Sequence, residues 1–322
     1  MKKIVITKSD DLTKRLDIFL VQYFENKYQR GVIQKLIEDG LILVNQKPQK
    51  PSYKLKADDC IEFFEDKILE FVNAPSEIEP WDYKLNIVFE DDDVIVVNKP
   101  KQMLTHPTKY DRNHTLSNAL KFHCKTLSDV GGLDRLGIVH RLDKNTAGLI
   151  IAAKNNESHI ALAEQIKSKT LKRKYLALAL GEFKEDEGVV NKALLHYIKD
   201  DVKMTIAPDG NGLEAITLYK VIERYRGATL VELELKTGRT HQIRAHLSSI
   251  NHPVFGDSLY GAKSFNRKEF HNLKTIEQLL QSYYICFKHP KTGKKMEFQL
   301  KEEEFSEDFI KVLNFLRRTN EH

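Results

Sequence analysis

Residues 137–153 read GIVHRLDKNTAGLIIAA, and this stretch decides the fold class. Two apolar segments, Gly137–His140 and Gly148–Ala153, flank a polar turn that carries Asp143. Short apolar runs on either side of a polar turn are typical of two strands in a sheet. The pattern predicts that both strands fix the backbone of Asp143 and that its side chain reaches a cleft.

Strand signals continue on both sides of this stretch. Val94–Val97 is a continuous β-branched run, typical of a strand buried on both faces, and Pro100 prevents its continuation. Further along, Val231, Leu233 and Leu235 alternate with charged residues, as in a half-buried strand. The sequence lacks the regular strand–helix alternation of a doubly wound fold. We therefore predict an α+β fold whose larger domain is a mixed, mainly antiparallel sheet with flanking helices.

Two helices are predicted in this larger domain. Ile160, Ala163 and Ile166 fall on one helical face, with Leu162 supporting them. A second, apolar helix covers about Phe309–Leu316 near the C-terminus. Both helices are expected to flank the sheet.

A small α+β domain is predicted at the N-terminus. Its first helix has Thr13 as the expected N-cap, and a second helix ends near Gly40. Strands are expected at Leu41–Val44 and near Cys60–Phe63. An apolar stripe at i, i+3, i+4, i+7 and i+8 defines the first helix and consists of Leu16, Phe19, Leu20, Tyr23 and Phe24.

The two domains are joined by a stretch that has no periodicity. Two prolines interrupt the residues from about Glu65 to Pro80, which predicts an irregular connection. We assign residues 1–66 to the small domain, 67–81 to the linker and 82–322 to the larger domain.

Composition limits the class of protein. The chain has 322 residues, of which 41% are hydrophobic and 30% charged, and its net charge is +5, so a polyanionic partner is permitted but not required. Cys60, Cys124 and Cys286 are too dispersed for a zinc framework or a disulfide scaffold, which favours the reducing cytoplasm. No signal-peptide core or apolar run of about 20 residues is found, so neither secretion nor membrane spanning is expected.

The small domain carries a cluster of basic residues. Between Thr13 and Lys56 there are nine Lys or Arg residues against four acids. Most charge runs are solvated faces, but clustered cations also displace counterions from nucleic-acid phosphates. Both interpretations stay open on charge alone. The candidates for phosphate contact are Lys14, Arg15, Arg30 and Lys35.

Three segments of the larger domain could carry chemistry. Asp143 follows Arg141 and precedes Lys144, and an ionised carboxylate among cations can act as a nucleophile or as an electrostatic stabiliser. The alternative is that Asp143 is an ordinary ion-paired aspartate in a turn. The loop that contains Arg239 leads into Arg244, which is expected on a strand. This loop could bind phosphates or a carboxylate, or it could be an ordinary polar surface loop. The segment Lys172–Tyr175 combines cations with an aromatic ring. Such a segment could bind RNA through charge and base stacking, or it could be a strand edge protected by lysines.

Cofactor sites are not predicted. The sequence has no Gly-rich phosphate loop, so no nucleotide cofactor is expected, and no metal-ligand spacing. A metal-dependent hydrolase could use the acidic runs Asp91–Asp93 or Glu302–Glu304. Adjacent acids point in different directions, so we interpret these runs as turn and solubility features.

Several motifs in order resemble one family, the RluA-type pseudouridine synthases. The resemblance covers about residues 82–300, where a match to one block arises easily by chance but ordered matches to six further blocks do not. Ala147 departs from the pattern, in which serine is common. The matching blocks are Leu85–Pro107, His140–Leu149, Lys174–Tyr175, Ala215–Tyr219, Thr237–Leu247, Phe255–Gly261 and Phe287–Pro290. The N-terminal domain resembles the S4-like RNA-binding domain through Arg15–Asp17 and Gly40–Asn45.

The resemblance implies roles for individual residues in the isomerisation of uridine to pseudouridine within RNA. Asp143 would be the catalytic residue, Arg244 would hold it in place, and Arg141 would fill the gap left by the flipped base. Tyr175 would stack on the uracil and assist proton movement at C5, and Ile243 would pack on the other side of the base. Lys174 and Arg239 would contact phosphates or order loops. No cofactor is needed, because the product is an isomer of the substrate.

The resemblance leaves the RNA undefined. Synthases of this type that carry the small domain mostly act on large-subunit ribosomal RNA, which is therefore the expected substrate, with transfer RNA as the alternative. A catalytically silent RNA-binding protein on the same scaffold is a further alternative, against which the set of Asp143, Tyr175 and Arg244 argues. A monomer is the default expectation.

Overall fold

The computed structural model describes residues 2–7, 11–25, 27–28, 30–73, 78–108, 111–197, 203–261 and 277–320. The chain divides into two compact units, Met1–Ser76 and Glu77–His322. Each has its own hydrophobic core. Part of the predicted linker, residues 74–77, lies outside the described residues.

The N-terminal unit packs helices on a small sheet. Its strands pair in the order β1-β3-β2, and both pairs are antiparallel. The strand β1 was not predicted, whereas the predicted positions of β2 and β3 are confirmed to within one residue. The elements are β1 (Lys2–Val5), α1 (Leu16–Tyr23), α2 (Arg30–Glu38), β2 (Ile42–Val44), β3 (Cys60–Phe63) and α3 (Glu65–Asn73).

The start of α1 differs from the prediction. The N-cap is Arg15 and not Thr13, which has a left-handed backbone with φ 67°. No side chain caps this helix, because backbone carbonyls of the segment between β2 and β3 accept its first amides. The Leu16 amide donates to Tyr53 O at 2.8 Å and the Asp17 amide to Pro51 O at 3.1 Å. These bonds satisfy amides that would otherwise lack partners.

The predicted irregular connection is also wrong in its first part. Residues Glu65–Asn73 form the helix α3, which begins with two acids at its positive end. Ile68 of this helix is buried in the core of the N-terminal unit. The prolines that suggested an irregular chain come only after the helix has ended.

The C-terminal unit is built on one large sheet. In the described residues it has nine strands in the order β4-β5-β6-β13-β7-β12-β11-β8, with β14 paired to β13. All pairs are antiparallel except β6 with β13. Two further strands, β9 (Leu194–His196) and β10 (Met204–Ile206), form a separate antiparallel pair. The nine strands of the large sheet are β4 (Ile87–Glu90), β5 (Val94–Lys99), β6 (Ala147–Ala153), β7 (Lys172–Leu180), β8 (Glu187–Asn191), β11 (Ile216–Tyr225), β12 (Ala228–Leu235), β13 (Leu280–Lys288) and β14 (Lys295–Gln299).

Helices flank the sheet on both faces. Alternation along β5 sends Ile95 and Val97 into the core cluster that contains Leu120, and Val94 and Val96 into the cluster that contains Leu162. These two leucines belong to different helices, so the two faces of β5 are covered separately. The helices are α4 (Leu116–His123), α5 (Asn156–Lys167), α6 (Gln242–Ser249) and α7 (Glu307–Asn320). The predicted α+β class with a mainly antiparallel sheet is confirmed.

Two local predictions for this unit are wrong. Gly137–His140 is not a strand: only an isolated bridge joins Ile138 to Ala152, and the segment runs as turns and bends. In α5, Leu162 is buried whereas Ile160 is 61% exposed, so the buried face is rotated from the one predicted. Within the described residues, no helix combines the length and apolar character that a bilayer crossing requires.

Candidate active site

The turn that carries Asp143 is fixed from below by two buried polar side chains. The Thr105 hydroxyl donates to Leu142 O at 2.7 Å and accepts from the Leu142 amide at 3.2 Å. The Lys99 ammonium, at the end of β5, donates to Lys144 O at 3.3 Å and to Met103 O at 2.8 Å. Burial lowers the pKa of Lys99 to about 7, although the nearby Asp143 carboxylate raises it. The backbone on both sides of Asp143 is therefore held rigidly.

The Asp143 carboxylate is clamped by an arginine of α6. Arg244 Nη1 donates to Asp143 Oδ2 at 3.0 Å, and the Asp143 side chain stays 16% exposed. The rest of the Arg244 guanidinium is held bidentately by Asp257, which is fully buried, with Nε–Oδ2 at 2.7 Å and Nη2–Oδ1 at 2.9 Å. Burial by itself would lower the pKa of Arg244, but the Asp257 and Asp143 carboxylates raise it. One cation thus joins two carboxylates, only one of which reaches the surface.

Arg244 lies on a helix, not on a strand as predicted. All six residues Gln242–Leu247 are buried. The helix begins after His241, whose backbone is left-handed with φ 52°, and His241 Nδ1 lies 3.2 Å from the Tyr260 hydroxyl. The Arg244 guanidinium carbon lies 5.1 Å from the centroid of the buried Tyr260 ring. The helix start and this ring fix the direction in which Arg244 points.

A cleft of about 520 Å³ opens beside Asp143. Tyr175 on β7 lines it, and burial raises the pKa of the Tyr175 hydroxyl, so the phenol stays protonated at neutral pH. His106 also lines it, and its pKa is lowered to about 4 by burial and by the charges of Arg141 and Arg135. The volume lies within the usual range for a pocket that holds a small ligand.

The predicted site residues of the larger domain separate into two groups. Asp143, Tyr175, Arg141 and Arg239 all line the cleft, and an adjoining recess is lined by Asp143, Tyr175, Arg141, Arg239, Arg244 and Ile243. Lys174 does not line either. It lies on the opposite face of β7, where its ammonium pairs with Glu232 Oε1 at 3.0 Å.

Two of the four predicted residues of the N-terminal unit, Arg15 and Arg30, hold one buried aspartate. Asp17 has no exposed side-chain surface and accepts from Arg15 Nε at 3.0 Å and from Arg30 Nη2 at 2.9 Å. Burial by itself raises its pKa, but the hydrogen bonds from Arg15, Gln34 and Arg30 lower it to about 2. Lys14 pairs with Asp11. Lys35 is exposed on α2. Both arginine side chains keep 40% or more of their surface exposed.

The acidic runs are explained by local structure. Asp91 Oδ1 accepts the amides of Asp93 and Val94, and its Oδ2 lies 2.8 Å from His289 Nε2. Contrary to our expectation that neighbouring acids diverge, Asp91 and Asp93 converge with His289 within 4.8 Å. Each already has protein partners, since Asp93 accepts from Asn155 and Ser158 at the start of α5. Glu302–Glu304 form a single 3₁₀ turn.

Sequence reasoning missed the residues that support the site. Asp257, Tyr260 and Lys99 appeared only within the matching blocks. Their types are visible in the sequence, but their roles depend on contacts with residues 13, 19 and 45 positions away. Arg173 was read as one of three neighbouring cations, yet it is the one that lines the cleft. Strand alternation from Tyr175 could have selected it, because residues two apart share a face.

Comparison with known proteins identifies the family. The sequence model of the RNA pseudouridylate synthase family matches residues 93–249, and that of the S4 domain matches residues 14–61. The chain is 38% identical to an uncharacterized RNA pseudouridine synthase of Bacillus subtilis, YlyB, over 99% of each chain. The chain belongs to the RNA pseudouridylate synthase family. It is also 38% identical to the ribosomal large subunit pseudouridine synthase D of Zymomonas mobilis, over 88% of this chain and 89% of that protein.

The fold agrees with this membership. The human RNA pseudouridylate synthase domain containing 4 protein superposes with a TM-score of 0.56, covering 72% of this chain and 93% of its own at 23% identity. The predicted family, the S4 domain and the class of enzyme, an isomerase that makes pseudouridine in RNA, are confirmed. The individual roles of the site residues stay predictions.

Proposed function

We propose that this pseudouridine synthase modifies large-subunit ribosomal RNA and that Asp143 is its catalytic residue. The observation that carries the proposal is the Asp143–Arg244–Asp257 chain at the edge of a basic cleft. It presents one oriented, partly exposed carboxylate to a ligand. A carboxylate held by a fixed guanidinium keeps its direction without reorganisation during the reaction.

The geometry suits a flipped uridine. A base must leave its stack to reach a recessed carboxylate, which costs a few kcal/mol, and the exposed side chain of Arg141 lies beside the cleft where it can replace the base in the helix. Tyr175 and Ile243 give the recess aromatic and apolar surface against which a uracil can stack. Asp143 then acts on the sugar or on the base to promote cleavage of the N1–C1′ bond. The uracil turns, and a new bond forms between C5 and C1′.

Protons balance within the isomerisation. C5 loses its hydrogen after the new bond forms, and N1 carries one in the product, so no oxidant or nucleotide is consumed. The buried, protonated Tyr175 hydroxyl is the group in the recess that can relay this proton. Arg239 borders the same recess, and its Nε donates to Glu214 O at 3.0 Å, which orders the loop above the uridine.

The N-terminal unit supplies affinity in this proposal. Asp17 holds Arg15 and Arg30 through four hydrogen bonds, while 40% and 51% of these two side chains stay exposed. Such a preorganised basic surface contacts phosphates without reading sequence. The proposed division gives this binding to the unit Met1–Ser76 and the chemistry to the unit Glu77–His322.

Large-subunit ribosomal RNA is the substrate that the relatives favour. Ribosomal large subunit pseudouridine synthase D proteins of Zymomonas mobilis and Haemophilus influenzae are 38% and 34% identical to this chain over most of its length. We propose that the chain acts in the cytoplasm, where bacterial ribosomes are made, as a monomer and without a cofactor.

The test is pseudouridine formation on large-subunit ribosomal RNA transcribed in vitro. We expect wild-type protein to modify specific uridines and Asp143→Ala to modify none while it binds the same RNA with similar affinity. Asp93→Ala, which removes a carboxylate from a turn outside the cleft, is the matched control and should stay active. Loss of RNA binding together with activity in a folded Asp143→Ala protein would contradict the catalytic assignment. Modification of transfer RNA alone would contradict the substrate.

A further inference from the structure

Arg173 is a buried arginine on the strand that carries Tyr175. The two residues lie two positions apart on β7, so their side chains share the face that borders the cleft. Only 6% of Arg173 is exposed. Its neighbours in the strand, Lys172 and Lys174, alternate to the other face.

The charge of Arg173 is uncompensated within the described residues. Its Nε–H is buried and has no acceptor, and no carboxylate of the described chain forms an ion pair with it. The guanidinium lies against Gly238, where a Cβ atom would come within 3.2 Å of Nη1. Burying a charge without a partner is costly, so such an arginine is retained where a ligand provides the partner.

His140 adds a second donor to the same cleft. Its Nε2 accepts the Ile151 amide at 3.2 Å, so in the neutral ring the proton is on Nδ1, which is buried without an acceptor. Burial and the charge of Arg173 lower the pKa of His140 to about 3, which keeps the ring neutral at physiological pH. His106, which also lines the cleft, has a buried Nδ1 without a partner.

We propose that Arg173 and His140 form a subsite for one phosphodiester of the RNA strand, next to the nucleotide that enters the Asp143 recess. The inference rests on the proposed function and adds a residue-level contact to it. Unpaired donors without an accompanying acceptor select a ligand rich in oxygen acceptors. Seven Lys or Arg side chains line this cleft in the described structure against two carboxylates, Asp143 and Glu214, which favours an anion over a neutral carbonyl.

The first test compares Arg173→Met with Lys172→Met. Both variants remove one cation from β7, but only the first faces the cleft. We expect Arg173→Met to bind transcribed large-subunit ribosomal RNA about tenfold more weakly at 0.1 M salt, and the slope of log K against log salt to fall by about 0.7. Lys172→Met should change the RNA affinity by less than twofold and should leave the salt slope unchanged. Arg173→Lys keeps the positive charge but loses the bidentate geometry of the guanidinium, so it should give an intermediate affinity.

Thermal unfolding separates this role from a structural one. Replacing an uncompensated buried cation by an apolar side chain of similar length should leave the Tm of the C-terminal unit unchanged or higher. An arginine that served only to hold the fold would instead lower the Tm, and its loss would not alter the salt dependence of binding. A lower Tm with an unchanged salt slope therefore overturns the proposal.

The second test identifies the phosphate. In the shortest transcript that the enzyme modifies, single methylphosphonates are placed at each linkage near the target uridine. A methylphosphonate at one position should weaken RNA binding by the wild-type protein about tenfold. The same methylphosphonate should not weaken RNA binding by Arg173→Met any further. Equal losses in both proteins at every position would overturn the subsite.

The two proposals fail in different ways. If wild-type protein makes no pseudouridine in any ribosomal transcript but Arg173→Met still alters the salt slope, the proposed function fails and the anion subsite stands. If wild type is active and Arg173→Met keeps its affinity and its slope, the subsite alone is wrong.

Discussion

Asp17→Asn should destabilise the N-terminal unit in a pH-dependent way. The substitution keeps the size of the side chain but removes the charge that holds Arg15 and Arg30. In the folded protein the pKa of Asp17 is about 2, against an ordinary value of 3.8. At about 1.36 kcal/mol per pKa unit, this difference corresponds to about 2.4 kcal/mol of stability.

The direction of the pH dependence follows from the lowered pKa. Above about pH 5 the carboxylate is ionised in both folded and unfolded chains, so the whole stabilisation is present. It is lost progressively as the pH falls from 3.8 through 2, because the unfolded chain takes up the proton first. The difference between wild type and Asp17→Asn should therefore be about 2.4 kcal/mol at pH 7 and should shrink toward pH 2.

Hydrogen exchange read by mass spectrometry on peptides from α1 and α2 is the appropriate assay. The single tryptophan, Trp81, belongs to the other unit, so its fluorescence does not report on this transition. Asp11→Asn is the matched control, since the Asp11–Lys14 pair is partly exposed and should contribute less than about 1 kcal/mol. Equal protection of α1 in Asp17→Asn and wild type at pH 7 would refute the reasoning. A difference that persisted unchanged at pH 2 would show that charge is not its cause.

Two further substitutions test the catalytic unit. Asp257→Asn should lower the single-turnover rate of pseudouridine formation about a hundredfold with little change in RNA affinity, because Arg244 loses its bidentate anchor and Asp143 its orientation; an unchanged rate would separate Asp257 from the site. Gly148→Ala should lower the unfolding free energy by about 3 kcal/mol in calorimetry, since φ is +119° and the new Cβ would lie 2.0 Å from Ser282 O. Gly293→Ala, at a left-handed φ of +68° with open space around it, is the control and should cost about 1 kcal/mol.

Periodicity predicted the strands because their burial is simple. Val94–Val97 is buried on both faces, as its β-branched run indicates. The strand prediction for Gln242–Leu247 is wrong because burial there is not simple. Its polar and apolar residues alternate as in a strand, yet it is a helix. Both kinds of side chain are enclosed there, and Gln242 and His246 each contact the Thr217 hydroxyl. Alternation indicates a strand only when one face meets solvent.

The site was accessible to sequence reasoning only in part. The Asp143–Arg244 contact, expected from the family resemblance alone, is present at 3.0 Å. The segment before it, Gly137–His140, looked like a strand, but Gly137 has φ +70° and its neighbours bend around the cleft. Asp257 gave no local signal, because its importance comes from a partner 13 residues away on another element.

The position of β13 determines how the enzyme is completed during translation. Residues 280–288 insert between β6 and β7, so the ribosome must synthesise more than 100 residues after β7 before these two strands acquire their shared neighbour. Until then, the strand that follows Asp143 and the strand of Tyr175 each present an open edge to other nascent chains. A message cut short before codon 280 would therefore yield an aggregation-prone product, with the N-terminal unit already formed and no working catalyst.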